Sequence, residues 1–188
     1  MKLINDIKQL SMLELEEGME TIRQSPRDEG VLKMIVRRPN VDEREIVDEC
    51  ELDLDQGLAG DSWKDRGSSH TPDGSANINA QLTIMNARVI ALLAQDETRW
   101  PLAGDQLYID MDLSEDNIPP GTRLALGSAV IEVSAQPHTG CKKFSSRFGM
   151  DAIKFVNSPE GKQLHLRGIN ARVIQPGTIR VGDALKKI

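Results

Sequence analysis

From Gly30 onward the chain is written as short apolar runs separated by turn residues, and this punctuation limits the possible fold more than any other feature. Leu107-Tyr-Ile-Asp-Met-Asp-Leu113 alternates with its odd positions apolar, the period of a strand that buries one face. Val31 to Arg37, Gln81 to Met85, Ala129 to Val133, Ile169 to Ile174 and Thr178 to Val181 read as further strands. Ile46 to Leu54 also alternates and predicts one strand, with Ile46, Asp48, Cys50, Leu52 and Leu54 on a common side and Cys50 a core thiol. Pro39-Asn40, Gly57-Leu-Ala-Gly-Asp61 and Pro119-Pro-Gly121 break these runs. Asn86 caps a helix from Ala87 to Ala94, and Asp151 caps a second that ends before Ser158-Pro159. Many short strands with few helices predict a mainly β domain, a β-barrel with peripheral α-helices.

The first 26 residues differ. Leu3, Ile7, Leu10, Met19 and Ile22 fall at helical spacing, and Ser11-Met-Leu-Glu14 matches a capping box, so the segment is one helix or two short ones before Ser25-Pro26. It is expected to pack on the barrel domain, residues 30–187, or on a second copy in a homodimer. With 188 residues the chain has enough core for one domain. No run of about 18 apolar residues occurs, and the polar N-terminus does not resemble a signal peptide, which predicts a soluble cytoplasmic protein without membrane contact. Two cysteines 91 positions apart argue against a disulfide framework or a zinc motif. A net charge of −6 with 3% aromatics lacks the basic footprint of a nucleic-acid binder.

The charge is unevenly spread. Asp42 to Asp55 holds eight acids against the single base Arg44, whereas Val133 to Met150 and Gly161 to Gly182 contain no acid. The acid-free stretches carry Lys142, Lys143, Arg147, Lys162, Arg167, Arg172 and Arg180 with His138 and His165. If they meet in the fold they form a cationic site suited to a small anion; otherwise they are scattered solvated charges. Cys141 lies in the first stretch, after Pro137 and Gly140 and before Lys142 and Lys143. Positive neighbours in an exposed Pro/Gly loop favour a thiolate, the form that attacks or binds a soft metal. An ordinary thiol near a turn stays open as the alternative. Phosphate loops, a GxSxG elbow and HExxH are absent from the sequence. The polar Gly/Ser-rich segment from Ser62 to Ala76 is either a lid or a surface insertion.

The run Gly127-Ser-Ala-Val-Ile-Glu-Val-Ser-Ala-Gln-Pro-His-Thr-Gly-Cys141 resembles the signature of the MOSC family, whose domain is similar to the C-terminal part of molybdenum-cofactor sulfurases. Ile35-Val-Arg-Arg-Pro39, Leu58-Ala-Gly-Asp61, Gln81-Leu-Thr-Ile-Met85, Asp112-Leu-Ser-Glu-Asp-Asn117 and Arg167 to Asp183 resemble further family pieces in the same order. The resemblance covers about residues 30 to 187. It implies a β-barrel, association with the pterin molybdenum cofactor, and Cys141 as molybdenum ligand or persulfide carrier. Some relatives reduce N-hydroxylated compounds; others are proposed to pass sulfur supplied by a pyridoxal-phosphate desulfurase. The sequence departs from the family in Ser62-Trp-Lys-Asp-Arg66, where many relatives have a base directly after the aspartate.

On this resemblance the expected cofactor is molybdopterin, with pyridoxal phosphate entering only through a cysteine desulfurase partner. An electron-donor protein is the other expected partner. Arg167, then Arg66, Arg38 and Lys142, are expected to grip the pterin phosphate, since guanidinium binds phosphate with two parallel bonds. His138 would assist Cys141, and Asn117 and Thr83 would orient the pterin through neutral hydrogen bonds. The competing expectation is a non-catalytic barrel that binds a cofactor or protein, with Cys141 structural.

Overall fold

The structure is a computed structural model that describes residues 7–188, so Leu3 lies outside the described residues. The N-terminal segment forms two short helices, α1 (Met12–Glu17) and α2 (Met19–Arg23). The capping box is made: Glu14 N donates to Ser11 Oγ, and Ser11 N donates back to Glu14 Oε2 at 2.8 Å.

Eleven strands follow: β1 (Glu29–Arg37), β2 (Glu45–Val47), β3 (Glu49–Asp53), β4 (Gly57–Leu58), β5 (Leu82–Asn86), β6 (Leu107–Asp110), β7 (Arg123–Leu126), β8 (Ala129–Val133), β9 (Ile169–Gln175), β10 (Gly177–Arg180) and β11 (Ala184–Lys187). Five more helices are interleaved: α3 (Trp63–Arg66), α4 (Ala87–Ala94), α5 (Lys142–Phe148), α6 (Met150–Asn157) and α7 (Pro159–Gln163). Seven strands close into a barrel in the order β1-β11-β7-β8-β9-β5-β6 and back to β1. All these pairs are antiparallel except β5–β6, which α4 connects. The long strand β1 gives its first half to β11 and its second half to β2. A small sheet, β10-β3-β4, carries Cys50, Leu52, Leu58 and Ile179 into the same core as the barrel strands.

Strand alternation explains the layering. Leu82, Ile84, Leu107 and Ile109 face the barrel interior, while Met85 and Tyr108, between or beside them, face outward into a second core with Leu15, Met19, Val89, Phe144 and Phe155. A bulge between Leu32 and Met34 shifts the parity of β1, so that Leu32 and Ile35 both point inward. Helices therefore cover β1, β5 and β6, the N-terminal helices included, and the barrel fold is as expected. Helix and strand contents are about equal, however, because α5, α7 and the 3₁₀ segment Glu97–Ala103 carry little helical periodicity of their own. The expected strand from Ile46 to Leu54 divides at Asp48 into β2 and β3, which join different sheets; Cys50 and Leu52 are buried, but Ile46 and Leu54 are exposed. Asn86 caps α4 through Arg88 N, whereas α6 begins at Met150, one residue before Asp151, whose carboxylate instead accepts Met12 N at 3.1 Å. Among the described residues no helix is long and apolar enough to cross a membrane.

Candidate functional site

Strand β8 ends at Val133, and the chain runs through Ser134 to Gly140 before Cys141 at the N-cap position of α5. Both sides of this loop are pinned by amides. Asn170 of β9 donates from Nδ2 to the carbonyls of Gln136 (3.0 Å) and Pro137 (3.2 Å), and its own carbonyl accepts Ser134 N at 3.0 Å. Asn157 of α6 accepts Gly140 N at 3.0 Å through Oδ1. Cys141, held at the end of this braced loop, is exposed and makes no side-chain hydrogen bond among the described residues. Cys50 is buried, donates to the Ala59 carbonyl at 3.3 Å, and has its thiol pKa pushed up by burial.

Behind the loop lies a buried carboxylate that sequence reading missed. Asp105, fully buried, accepts Arg167 Nη1 at 2.6 Å through Oδ2 and faces His138 Nε2 at 2.7 Å through Oδ1. Burial alone would raise the Asp105 carboxyl, but Arg167 and His138 outweigh it and hold it below the usual range. Burial, then the Arg167 guanidinium, push the His138 imidazole below the ordinary histidine range against the pull of Asp105. A carboxylate only accepts, so Nε2 carries the proton and the neutral ring keeps Nδ1 as an acceptor. The Arg167 guanidinium also stacks on Phe144 of α5, 4.9 Å from the ring centroid, which ties the second acid-free stretch to the first.

Four arginines converge on the segment before Asp105. Successive carbonyls at the end of the 3₁₀ segment Glu97–Ala103 accept from different guanidinium groups, Pro101 O in addition to its bond from Gly104 N. Pro101 O accepts Arg44 Nε at 3.2 Å, Leu102 O accepts Arg147 Nη1 at 2.7 Å, Ala103 O accepts Arg167 Nη2 at 2.9 Å, and Gly104 O accepts Arg38 Nη1 at 2.9 Å. Arg38 also grips Asp61 through Nε and Nη2, each at 2.8 Å, and Arg66 stands 3.7 Å from the same carboxylate. Burial, and after it Arg147 and Arg38, lower the pKa of Arg44; burial, Arg38 and Arg44 lower that of Arg66, with Asp61 opposing. The guanidinium groups thus crowd one another, and Asp61 and Asp42 only partly offset them. Arg44, the single base of the acid-rich segment, belongs to this cluster.

The expected site residues are distributed as follows. Arg167 and His138 meet at Asp105, and Arg38 and Arg66 meet at Asp61. Lys142 opens α5 next to Cys141 and is exposed. Thr83 bonds through its hydroxyl and N–H to Gln106 Oε1, inside the scaffold. Asn117 is likewise committed, donating to the carbonyls of Arg27 and Asp112 and accepting Lys187 Nζ at 2.9 Å. Gly60 lies in a turn at φ +81, with Asp61 beside it as the Arg38 partner. The two acid-free stretches do meet, around a cavity of about 380 Å³ walled by residues 133–139, by α6 and α7, and by residues 165–170. No group of three or more His, Cys, Asp or Glu side chains that could hold a metal occurs among the described residues.

The family model described as MOSC domain matches residues 74–186. No curated protein matches the sequence. Among solved structures, the YuaD protein from Bacillus subtilis superposes with a TM-score of 0.62 at 14% identity, covering 85% of this chain and 95% of that one. YiiM from Escherichia coli gives a TM-score of 0.55 at 20% identity over 84% and 69% of the two chains. YiiM from Geobacillus stearothermophilus gives 0.52 at 15% identity over 85% and 73%.

Proposed function

The chain belongs to the MOSC domain family, and from that premise we propose that Cys141 is its functional sulfur, serving an anionic molybdenum–pterin cofactor as metal ligand or as carrier of a persulfide. The observation that carries this reading is the setting of the thiol. It is exposed, free of hydrogen bonds among the described residues, and fixed at the end of a loop braced by Asn157 and Asn170. Among the described residues no group of three or more His, Cys, Asp or Glu could hold a bare ion, so a metal at Cys141 would bring its own organic chelate, and soft metals prefer thiolate.

The cations nearby fit an anionic cofactor. Lys143 and Arg147 of α5 both reach Asp42 at 3.4 Å, two residues before Arg44, so the helix that follows Cys141 adjoins the crowded arginines. Guanidinium groups that depress one another's pKa gain from an added anion, which makes Arg44 and Arg66, with Lys142, the groups that would take the pterin phosphate. Arg167 and Arg38 would act behind them by fixing Asp105 and Asp61. His138, neutral and anchored on Asp105, would offer Nδ1 to a proton arriving beside the loop. When bound, the molybdenum centre supplies two-electron redox chemistry, as in the reduction of N-hydroxylated compounds with electrons from a donor protein. In the carrier form, the Cys141 thiolate attacks the outer sulfur of a persulfide on a cysteine desulfurase partner, whose thiolate leaves; pyridoxal phosphate belongs to that partner.

The test is metal and pterin analysis of protein expressed in a host that makes the cofactor. Wild type is expected to retain molybdenum and pterin, or a cyanide-labile sulfur, and Cys141→Ser to lose them. Equal content in both proteins would return the chain to a non-catalytic binding barrel with a structural Cys141.

A further inference from the structure

We infer that the cavity between the Cys141 loop and the pair α6–α7 binds a small carboxylic acid with an apolar body, the organic substrate of the Cys141 centre; only this last clause rests on the function proposed above. The cavity, about 380 Å³, falls within the range of roughly 300–1,000 Å³ in which small organic molecules are held. Its inner walls are apolar, formed by Val133, Pro137, Val156 and Ile169. Asp105 engages His138 and Arg167 from behind the wall, and Asn157 and Asn170 brace the loop, but the side chains of Lys162 and Thr139 and the Gln136 amide nitrogen are left over.

Those unused groups favour a monoanion. Lys162 Nζ, on the lining, makes no ion pair or hydrogen bond among the described residues. Thr139 Oγ1 and Gln136 Nε2, also on the lining, are equally uncommitted there. The Arg167 side chain is only 7% exposed, lines the cavity, and its Nε has no hydrogen-bond partner. The guanidinium adds a positive charge to that wall. Lys162, Arg167 and Glu115 are the Lys, Arg, Asp and Glu side chains on the lining and sum to one positive charge, which balances a monoanionic carboxylate and not a doubly charged phosphate.

His165 completes the recognition surface. It holds a left-handed backbone conformation, φ 49, unusual for a residue other than glycine. Its Nδ1 donates to the Leu113 carbonyl at 2.7 Å, which fixes the ring and leaves Nε2 without a partner among the described residues. Strain of this kind collects where a side chain must be held in place for a ligand. Thr139 links cavity to chemistry, since it lines the cavity two residues before Cys141.

The experiment uses phenylacetate as the probe and its uncharged analogue 2-phenylethanol as the control, titrated into ¹⁵N-labelled full-length protein. Saturable amide shifts centred on Ala135, Thr139, Gly168 and Asn170 are expected with phenylacetate. The exposed substitution Lys162→Met should weaken binding about tenfold, the loss of one charge-assisted hydrogen bond, and 2-phenylethanol should bind wild type about as weakly. Ala135→Trp, at the exposed end of the loop, should block the probe. No saturable shift, shifts centred elsewhere, or unchanged affinity in Lys162→Met overturns the inference. Retained molybdenum is measured on the same preparations: phenylacetate binding in protein that never retains the metal upholds the cavity and removes the cofactor reading, and retained metal without phenylacetate binding does the reverse.

Discussion

Asp105 accepts Arg167 Nη1 at 2.6 Å in a site where the carboxylate is fully buried and the arginine side chain is 7% exposed. A buried pair of this kind is costly to halve, because removing one partner strands the other charge away from water. Asp105→Asn keeps the shape and deletes the charge. It should lower stability by about 3–5 kcal/mol, read as a shift in the urea midpoint. A loss below about 1 kcal/mol, the scale of an exposed pair, would mean that Arg167 is rescued by other acceptors.

His138 gives the same cluster a pH dependence of defined sign. Its folded pKa lies below the unfolded value near 6.5, so the unfolded chain binds the proton more readily. Its contribution is therefore fully present above about pH 6.5 and is lost as pH falls from there toward the depressed folded value. Asp105, also depressed, adds a separate loss only below about pH 4, where the unfolded carboxylate protonates. Wild type should lose stability between pH 7 and pH 5, and His138→Gln should lose less over that interval. Parallel slopes for the two proteins in urea unfolding would assign the effect to another group.

The thiols should separate by chemistry. Cys141 is exposed, whereas Cys50 is buried, hydrogen-bonded to Ala59 and raised in pKa by desolvation. Iodoacetamide at pH 7.5 should modify Cys141 at least about tenfold faster, as peptide mapping will read, since only the accessible thiolate reacts. Comparable rates at both positions would contradict the exposed, fixed setting of Cys141.

What was legible in the sequence follows from the range of the interactions. Period-two alternation at 107–113 and 129–133 exposed the strands because each side chain reports the face it stands on, although the first ends at Asp110, and Asn86 showed its cap because the bond spans two residues. The split at Asp48 was not legible: Val181 N donates to the Asp48 carbonyl from the far end of the chain, and that long-range bond lets β2 and β3 part. Cys141 stood out by its acid-free surroundings, and those two stretches do meet. Asp105 and Arg44 did not, because their partners lie 62 and 57 residues away and nothing local distinguishes a carboxylate bound to arginine from a solvated one. The Gly104-Asp105 pair closing a 3₁₀ segment, with Gly104 at φ +90, was the one local hint of a special turn.

Arg44 and Arg66 form the next test. Both are crowded by other guanidinium groups, and Arg66 remains 42% exposed despite its approach to Asp61. Arg44→Ala combined with Arg66→Ala should reduce retained molybdenum at least about tenfold, as expected when charge-assisted bonds to a phosphate are lost. Arg180→Ala, which breaks an exposed pair with Glu49 on the small sheet, should leave retention unchanged and serves as the control. Equal retention in all three proteins would detach the arginine cluster from the cofactor.

Gly168 joins the two halves of the site. It follows Arg167, adopts φ +118, and its N–H donates to the His165 carbonyl at 2.8 Å. A side chain there meets two obstacles: the backbone region is nearly closed to residues with a Cβ, and that atom would fall against the Ile84 carbonyl of β5, inside van der Waals contact, and 3.1 Å from His138 Cδ2. Neither neighbour can yield cheaply, since Ile84 is held in the barrel register opposite Ile169 and His138 is anchored on Asp105. Gly168→Ala should therefore cost about 2–4 kcal/mol, combining backbone strain with displaced packing. It should also move the His138 ring, shifting its NMR titration and weakening phenylacetate binding in the adjoining cavity. A variant as stable as wild type with an unchanged His138 titration would show that the β5–β9 junction relaxes freely, and that the close approach of Gly168 to β5 does not fix the geometry of the site.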